Sequence, residues 1–451
     1  MRTRSWPTLA AAVLLALAPG GAHAETSTPP VSAELPPVLH LEDALRLLRE
    51  RGFDLLLAEA AVEGAEGDAA AAGAVANPAL SVTYGRSFTY GHCTDASGSP
   101  ASCGLLPDAM LGAGLSDQGA VFDALTGKRG LRVRAARSAA AAARASRDDA
   151  LRTLTAQTKQ AFVQAVVAKQ ALQVAREVAG AAARTAELTR ARYEAGAISE
   201  ADVARIDVAR LEADQAVDTA AQGLRDAKLA LAFLLGARGT TTALDVEGPE
   251  LLAAREPVAL AGATPDALLA RARERRPDLA AALRQRERAE AALDLARRQR
   301  FPDVSISVDY AQQGTTQSAI SPPTATAGLS FPIPILYQQQ GEIRRAEADL
   351  RTQSLQAAKL EAQVASDVQT GFSDYVAAAA LARRMEGSLL ERARRARDLV
   401  SVQYQKGAAS LLDFLDAQRT FNASSAEYLQ DLAQFWGAVF KLEQAVGEEL
   451  R

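Results

Sequence analysis

Leu80-Ser81-Val82-Thr83-Tyr84-Gly85-Arg86-Ser87-Phe88-Thr89-Tyr90 is the stretch on which the reading of the whole chain turns. Leu80, Val82, Tyr84, Phe88 and Tyr90 share one parity, and Ser81, Thr83, Gly85, Ser87 and Thr89 share the other. Successive side chains of a strand point to opposite faces, so the segment presents one apolar face and one small polar face. Arg86 is the single exception on the apolar side. About 9–11 residues carry a tilted strand across a bilayer, with lipid on one face and water on the other.

The pattern recurs. A poorer strand is expected between Met110 and Phe122, where Leu111, Ala113 and Leu115 alternate with Gly112 and Gly114. Val304, Ile306, Val308 and Tyr310 alternate with Ser305, Ser307 and Asp309. Ala325, Ala327, Leu329, Phe331 and Ile333 alternate with Thr324, Thr326, Gly328 and Ser330. Four spanning strands are too few to close a barrel, and an open sheet edge cannot face lipid, so such a chain must oligomerise.

Nearly everything else reads as long helix. Hydrophobic residues make up 48% of the 451-residue chain but aromatics only 5%, with alanine dominating the apolar content. Alanine favours helix and close backbone approach but buries little area, which argues against a thick core. From about Gly130 to Tyr193 no proline interrupts the pattern, and at about 1.5 Å per residue such a helix reaches roughly 95 Å. Within it Leu151, Leu154, Thr158, Ala161, Ala165, Ala168 and Leu172 step by three and four, the period of a coiled-coil seam. Glu194-Ala195-Gly196-Ala197-Ile198 is a turn, and Ser199–Leu235 a returning helix ended by Gly236.

The order then repeats. Arg49-Glu50-Arg51 and Asp54-Leu55 match Arg273-Glu274-Arg275 and Asp278-Leu279 at an offset of 224, as Pro78, Ser81 and Val82 match Pro302, Ser305 and Ile306. Gly130, Tyr193, Gly196, Ser199, Asp202 and Gly236 match Gly341, Tyr404, Gly407, Ser410, Asp413 and Gly447 at 211. The 13-residue difference between the offsets falls in the first half's strand–loop–strand section. Constant offsets on both sides of it establish an internal duplication. The expected organisation is a signal at 1–24, an extended Pro-rich linker at 25–40, one repeat at 41–236, a linker at 237–264, a second repeat at 265–447 and a tail at 448–451.

Arg2 and Arg4, the apolar run Leu9–Leu17 and Ala22-His23-Ala24 read as a cleaved secretory signal. A retained anchor is the alternative, but that apolar run is short for a bilayer span. Beyond it, Cys93 and Cys103 stand ten positions apart outside the cytoplasm, where a disulfide is the default. Closing so short a loop is worth about 2–4 kcal/mol. A metal clip with His92 is the lesser reading, because metal sites use three or four ligands. The formal net charge of -4, more acidic once Arg2 and Arg4 leave with the signal, provides no basic stripe for nucleic acid. Neither His40 nor His92 lies in an H-E-x-x-H motif, and the chain holds no G-x-S-x-G elbow or Walker loop. No enzyme and no cofactor is expected.

This arrangement resembles the TolC-type family of outer-membrane efflux channels from about Leu41 to Gly447. The resemblance rests on the duplicated order, on Asn77-Pro78 and Phe301-Pro302, and on Tyr404-Gln405-Lys406-Gly407 followed by Asp413-Phe414-Leu415-Asp416. Phe331-Pro332-Ile333-Pro334-Ile335-Leu336 with Gln340-Gly341-Glu342-Ile343 is most similar to the heavy-metal and related RND-partner branch. The resemblance implies a mainly α fold with a small β part. Four membrane strands per chain would join across a homotrimer into one β-barrel, above an α-helical barrel. It also implies docking, through a periplasmic adaptor, to an inner-membrane pump of the RND type.

A channel needs selectivity and a gate, and rings of carboxylates at a narrow point supply both. Asp413 and Asp416 stand one helical step apart and can face the same side. By resemblance they line the periplasmic constriction. Ser410-x-x-Asp413 also reads as a near capping box, which explains Asp413 without any gate. Asp202, by resemblance, would latch the tip against an arginine near the other turn. Ala409 occupies that arginine's position, leaving the latch absent or rewired; Arg205 offers another charge, though a solvated face explains it. Tyr193 and Tyr404 are read as tip-packing residues or as ordinary coiled-coil contacts. A duct for protein secretion and a soluble periplasmic coiled-coil rod are the competing functions. A rod would have no use for four strands placed symmetrically in the duplication.

Overall fold

The computed structural model describes residues 35–86, 97–99, 109–237, 244–313 and 323–450. The signal Met1–Ala24 and the expected Cys93–Cys103 disulfide lie outside the described residues. The first half runs β1 (Val38–Leu39), α1 (Leu41–Arg51), α2 (Phe53–Gly73), β2 (Ala79–Arg86), β3 (Ala109–Ser116), α3 (Ala120–Leu125), α4 (Lys128–Glu194) and α5 (Glu200–Leu234). The second runs β4 (Asp245–Val246), α6 (Pro265–Arg275), α7 (Pro277–Arg298), β5 (Ser305–Gln313), β6 (Thr324–Ser330), α8 (Gln340–Arg384), α9 (Leu390–Gln405) and α10 (Leu411–Val446). Among the described residues no helix is long and apolar enough to cross a membrane.

β2, β3, β5 and β6 form one antiparallel sheet in that order. Leu80 faces Leu115, Val82 faces Ala113 and Tyr84 faces Leu111. Leu115 in turn faces Val308, and Val308 faces Ala327. Directly opposed residues project to the same side, so the four apolar parities fuse into one continuous face. Val82 is 74% exposed on it and Leu329 69%. Ser81, Gly114, Ser307, Asp309 and Gly328 occupy the other face by the same register.

Two strands are shorter than their alternation implies. β3 ends at Ser116, well before Phe122, because the Asp117 carboxylate accepts the N–H groups of Gly119 at 3.0 Å and Val121 at 3.2 Å and opens α3. It also accepts the N–H of Ile306 at 2.7 Å, fastening β5 to the same corner. β6 ends at Ser330: Phe331 and Ile333 keep the parity, but Pro332 and Pro334 have no N–H for a ladder. At the sheet–helix junction the buried Lys128 ammonium donates to the Phe301 carbonyl at 2.6 Å and Asp303 Oδ1 at 2.7 Å, tying the first half's long helix to the approach to β5.

The duplication is visible in three dimensions at Gly236 and Gly447, whose φ values of 72° and 85° close the two returning helices. A Cβ on Gly236 would lie 2.3 Å from the Arg51 carbonyl oxygen, and one on Gly447 3.3 Å from the Arg275 carbonyl carbon. In both repeats glycine is required where the last helix meets the end of the first, because left-handed backbone and close approach coincide.

α4 packs along α2, α5, α7 and α10. Leu154, Thr158, Ala165 and Leu172 of the expected seam are buried, and so are Lys159, Phe162, Val163 and Val166 on its flank. Those flanking residues mark a thick core level that the alanine-rich composition had argued against. There the two stretches expected as linkers meet: β1 pairs in parallel with β4, Val38 opposite Asp245 and Leu39 opposite Val246. The Trp436 indole N–H donates to the Leu251 carbonyl at 3.0 Å, and the Tyr428 hydroxyl to that of Leu252 at 3.1 Å. Leu39, Phe162, Leu251, Phe435 and Phe440 are fully buried beneath this strap. Lys159 lies among them, its ammonium 2.8 Å from Glu443 and 2.9 Å from Glu449, while Glu443 also accepts the Leu450 N–H at 3.1 Å. Removing Glu443 from so buried a pair costs about 3–5 kcal/mol, and the C-terminal segment joins this core through the fully buried Leu450.

The second half's descending helix is interrupted where the first half's is not. A π-helical turn, Met385–Leu389, separates α8 from α9, whereas α4 continues unbroken. Beyond it the Arg397 guanidinium lies 3.9 Å from the Phe421 ring centre.

Candidate functional site

At about 1.5 Å per residue the 67 residues of α4 carry the chain roughly 100 Å from the sheet before it turns. Both helix hairpins turn here, α4 to α5 and α9 to α10, and Gly196 and Gly407 adopt left-handed φ at equivalent places. A small apolar cluster joins the two turns: Ala186 and Ile206 from the first, Tyr404, Leu411, Phe414 and Leu415 from the second.

Tyr404 is the centre of that cluster. Its ring stacks on Phe414 with centroids 5.6 Å apart, and its hydroxyl lies 2.6 Å from Thr189 Oγ1. Arg192, near the end of α4, lies over the same ring at 4.9 Å. It donates to the carbonyls of Tyr404 at 2.9 Å and Gln405 at 3.1 Å. A cation is favoured there, because the last carbonyls of α9 carry the negative end of its dipole. Sequence reasoning missed Arg192, whose acceptors lie more than two hundred residues away. Tyr193, its neighbour, remains 43% exposed.

Asp413 and Asp416 both project to solvent from the first turns of α10. They are engaged differently. Asp413 Oδ2 accepts the Ser410 backbone N–H at 3.0 Å and the Ser410 hydroxyl at 2.7 Å, while the Asp413 N–H donates to Ser410 Oγ at 3.2 Å. That is a complete capping box. The Ser410 hydroxyl, then its backbone N–H, hold the Asp413 carboxyl below the usual carboxylate range. No hydrogen bond or ion pair engages Asp416 among the described residues. Its carboxylate is therefore uncommitted within the chain.

Asp202 does not reach across to the second turn. It accepts the Ser199 hydroxyl at 2.9 Å and pairs with Arg205 at 3.2 Å within its own helix. Ala409 packs partly buried against the tip cluster. The Arg192–Tyr404–Thr189 set makes the cross-hairpin contact instead.

The family profile described as "Outer membrane efflux protein" matches residues 44–237 and 268–448, one segment in each repeat. The chain belongs to this family. Members work with a periplasmic adaptor and an inner-membrane pump, and this outer-membrane efflux channel component resides in the outer membrane and extends into the periplasm. Among curated efflux proteins, the cobalt-zinc-cadmium resistance protein CzcC of Cupriavidus metallidurans is 25% identical over 325 residues, covering 72% of this chain and 74% of its own. The pyoverdine export outer membrane protein OpmQ of Pseudomonas putida is 26% identical over 426 residues, covering 90% and 85%. The fold is shared with the outer membrane protein VceC of Vibrio cholerae at TM-score 0.69 and 20% identity, over 91% of this chain and 97% of that one.

Proposed function

We propose that three copies of this chain form a passive exit duct, narrowed at its periplasmic end by Asp413 and Asp416 and served by an RND-type pump. The observation that carries this reading is the four-stranded sheet. Its large apolar residues other than Met110 share one face, while β2 and β6 leave their outer edges unpaired among the described residues. In a bilayer such edges must be satisfied, and pairing β6 of one copy with β2 of the next does so for every copy alike. Three copies make twelve strands, within the range of closed outer-membrane barrels.

At the other end the same symmetry brings three Asp413–Asp416 pairs around the axis, a carboxylate ring of the kind that attracts cations at a narrow point. Asp416 carries the larger part of that role, since Asp413 is also committed to its cap. The names of CzcC and OpmQ refer to cobalt, zinc and cadmium in one case and to pyoverdine in the other, as expected of ducts whose substrate choice is made by the pump. The protein extracted from outer membranes in mild detergent should have the mass of three chains. A single chain or a pair would contradict the reading.

A further inference from the structure

Asp309 is a charge within the barrel sheet that the tip mechanism does not use. It is the fifth of nine residues in β5, about halfway up the sheet, and it stands on the small polar face. The other described strand positions on that face hold only Ala, Ser, Thr, Gly, Met and Gln. Arg86, the other charged residue in the described strands of this sheet, has the opposite parity. Across the ladder from Asp309 is Gly114. A Cβ on Gly114 would lie 2.2 Å from Asp309 Oδ1 and 2.6 Å from Ser81 Oγ, so the missing side chain is the space the carboxylate occupies. Ser307, two residues before it on the same face, donates its hydroxyl to Asp309 Oδ2 at 2.9 Å. The carboxylate therefore rests against the wall, exposed to water, at a fixed height.

We propose that Asp309 sets the charge selectivity of the barrel lumen. The inference rests on the trimeric duct proposed above, in which three copies of this carboxylate ring a lumen wall whose other described side chains are neutral. Fixed charge in a water-filled passage through a low-dielectric slab concentrates counter-ions, and here it favours cations and opposes anions. Its reach is the Debye length, about 30 Å at 0.01 M salt and about 3 Å at 1 M. In so wide a lumen the preference is strong in dilute salt and fades in concentrated salt. A constriction lined by carboxylates at the tip keeps its effect at both, because there the ion passes close to the charge.

The test is the reversal potential of the purified full-length protein in planar bilayers under a KCl gradient, for wild type, Asp309→Asn and Asp309→Glu. Asp309→Asn is expected to lower the K+ over Cl− permeability ratio about twofold near 0.01 M and to leave it unchanged near 1 M. Asp309→Glu should retain the wild-type ratio. Equal ratios for wild type and Asp309→Asn in dilute salt would overturn the inference. So would an Asp309→Glu variant that behaves like Asn, since the effect would then follow shape rather than charge. Absence of conductance from all three would instead overturn the duct on which the inference stands.

Discussion

The two helix turns at the tip descend from one duplicated sequence and have become unlike in charge and in packing. Ser199, Asp202 and Arg205 in the first occupy the places of Ser410, Asp413 and Asp416 in the second. Arg205 pairs with Asp202, so that carboxylate is compensated within its own helix. Asp416 replaces that arginine and leaves two carboxylates on one helix face. Packing diverges too: Leu411, Phe414 and Leu415 stand where the first repeat has Glu200, Val203 and Ala204. The second repeat thus contributes most of the apolar cluster, the complete cap and the uncompensated charge. The first contributes α4 as a support, with Arg192 and Thr189 as its points of attachment. In the proposed gate the second repeat would bear the functional charge and the first would hold it in register.

The largest effect is expected at the equivalent tyrosines. Tyr404→Ala should remove about 3–5 kcal/mol of local protection from the tip helices in hydrogen exchange, as large aromatic truncations do. Tyr193→Ala, at an exposed position, should change it by less than about 0.5 kcal/mol. Similar losses at both would break the asymmetry. Next comes Arg192→Ala, which takes one donor from each of the Tyr404 and Gln405 carbonyls, the first still held by the Gly407 N–H, and should cost about 1 kcal/mol, given its partial exposure. Faster exchange should appear at the end of α9 and spare the start of α5.

These expectations mark how far the sequence alone could go. Strands were legible because a period of two survives in β2 and β5, and the duplication because offsets of 224 and 211 need no structure to be seen. The Ser410–Asp413 cap was legible because it is local. The β1–β4 pair was not, since two-residue strands carry no periodicity and their partners are some two hundred residues apart. Nor was the π-helical turn Met385–Leu389, a change of backbone register without a proline, whose Gly387-Ser388 pair is equally compatible with an unbroken helix. Parity overran at Phe331 and Ile333, where the prolines between them outweigh it. Arg192 escaped because a lone arginine near a helix end resembles any solvated one until the helix it clamps is placed beside it.

The smallest effect concerns the caps. Ser410→Ala should cost about 1 kcal/mol at the start of α10. Ser199→Ala should cost only a few tenths, because Ser199 makes no side-chain cap bond. Acid sharpens the same contrast. Asp413 has a folded-state pKa below its unfolded value, so its contribution is complete above the unfolded carboxylate range and is lost as pH falls through the lower folded value. Fraying of α10 should therefore begin below about pH 4, seen as loss of amide protection at Ser410 and Asp413.

The central claim, that the carboxylates of the second turn form the constriction of a duct, is tested most directly by single-channel conductance in a planar bilayer. Wild type is compared with the double variant Asp413→Asn, Asp416→Asn. The account predicts small, discrete openings blocked by multivalent cations in the wild type. The assembled variant should need about tenfold more blocker, equivalent to about 1.4 kcal/mol. Unchanged block in an intact assembly of the variant would remove these two residues from the gate.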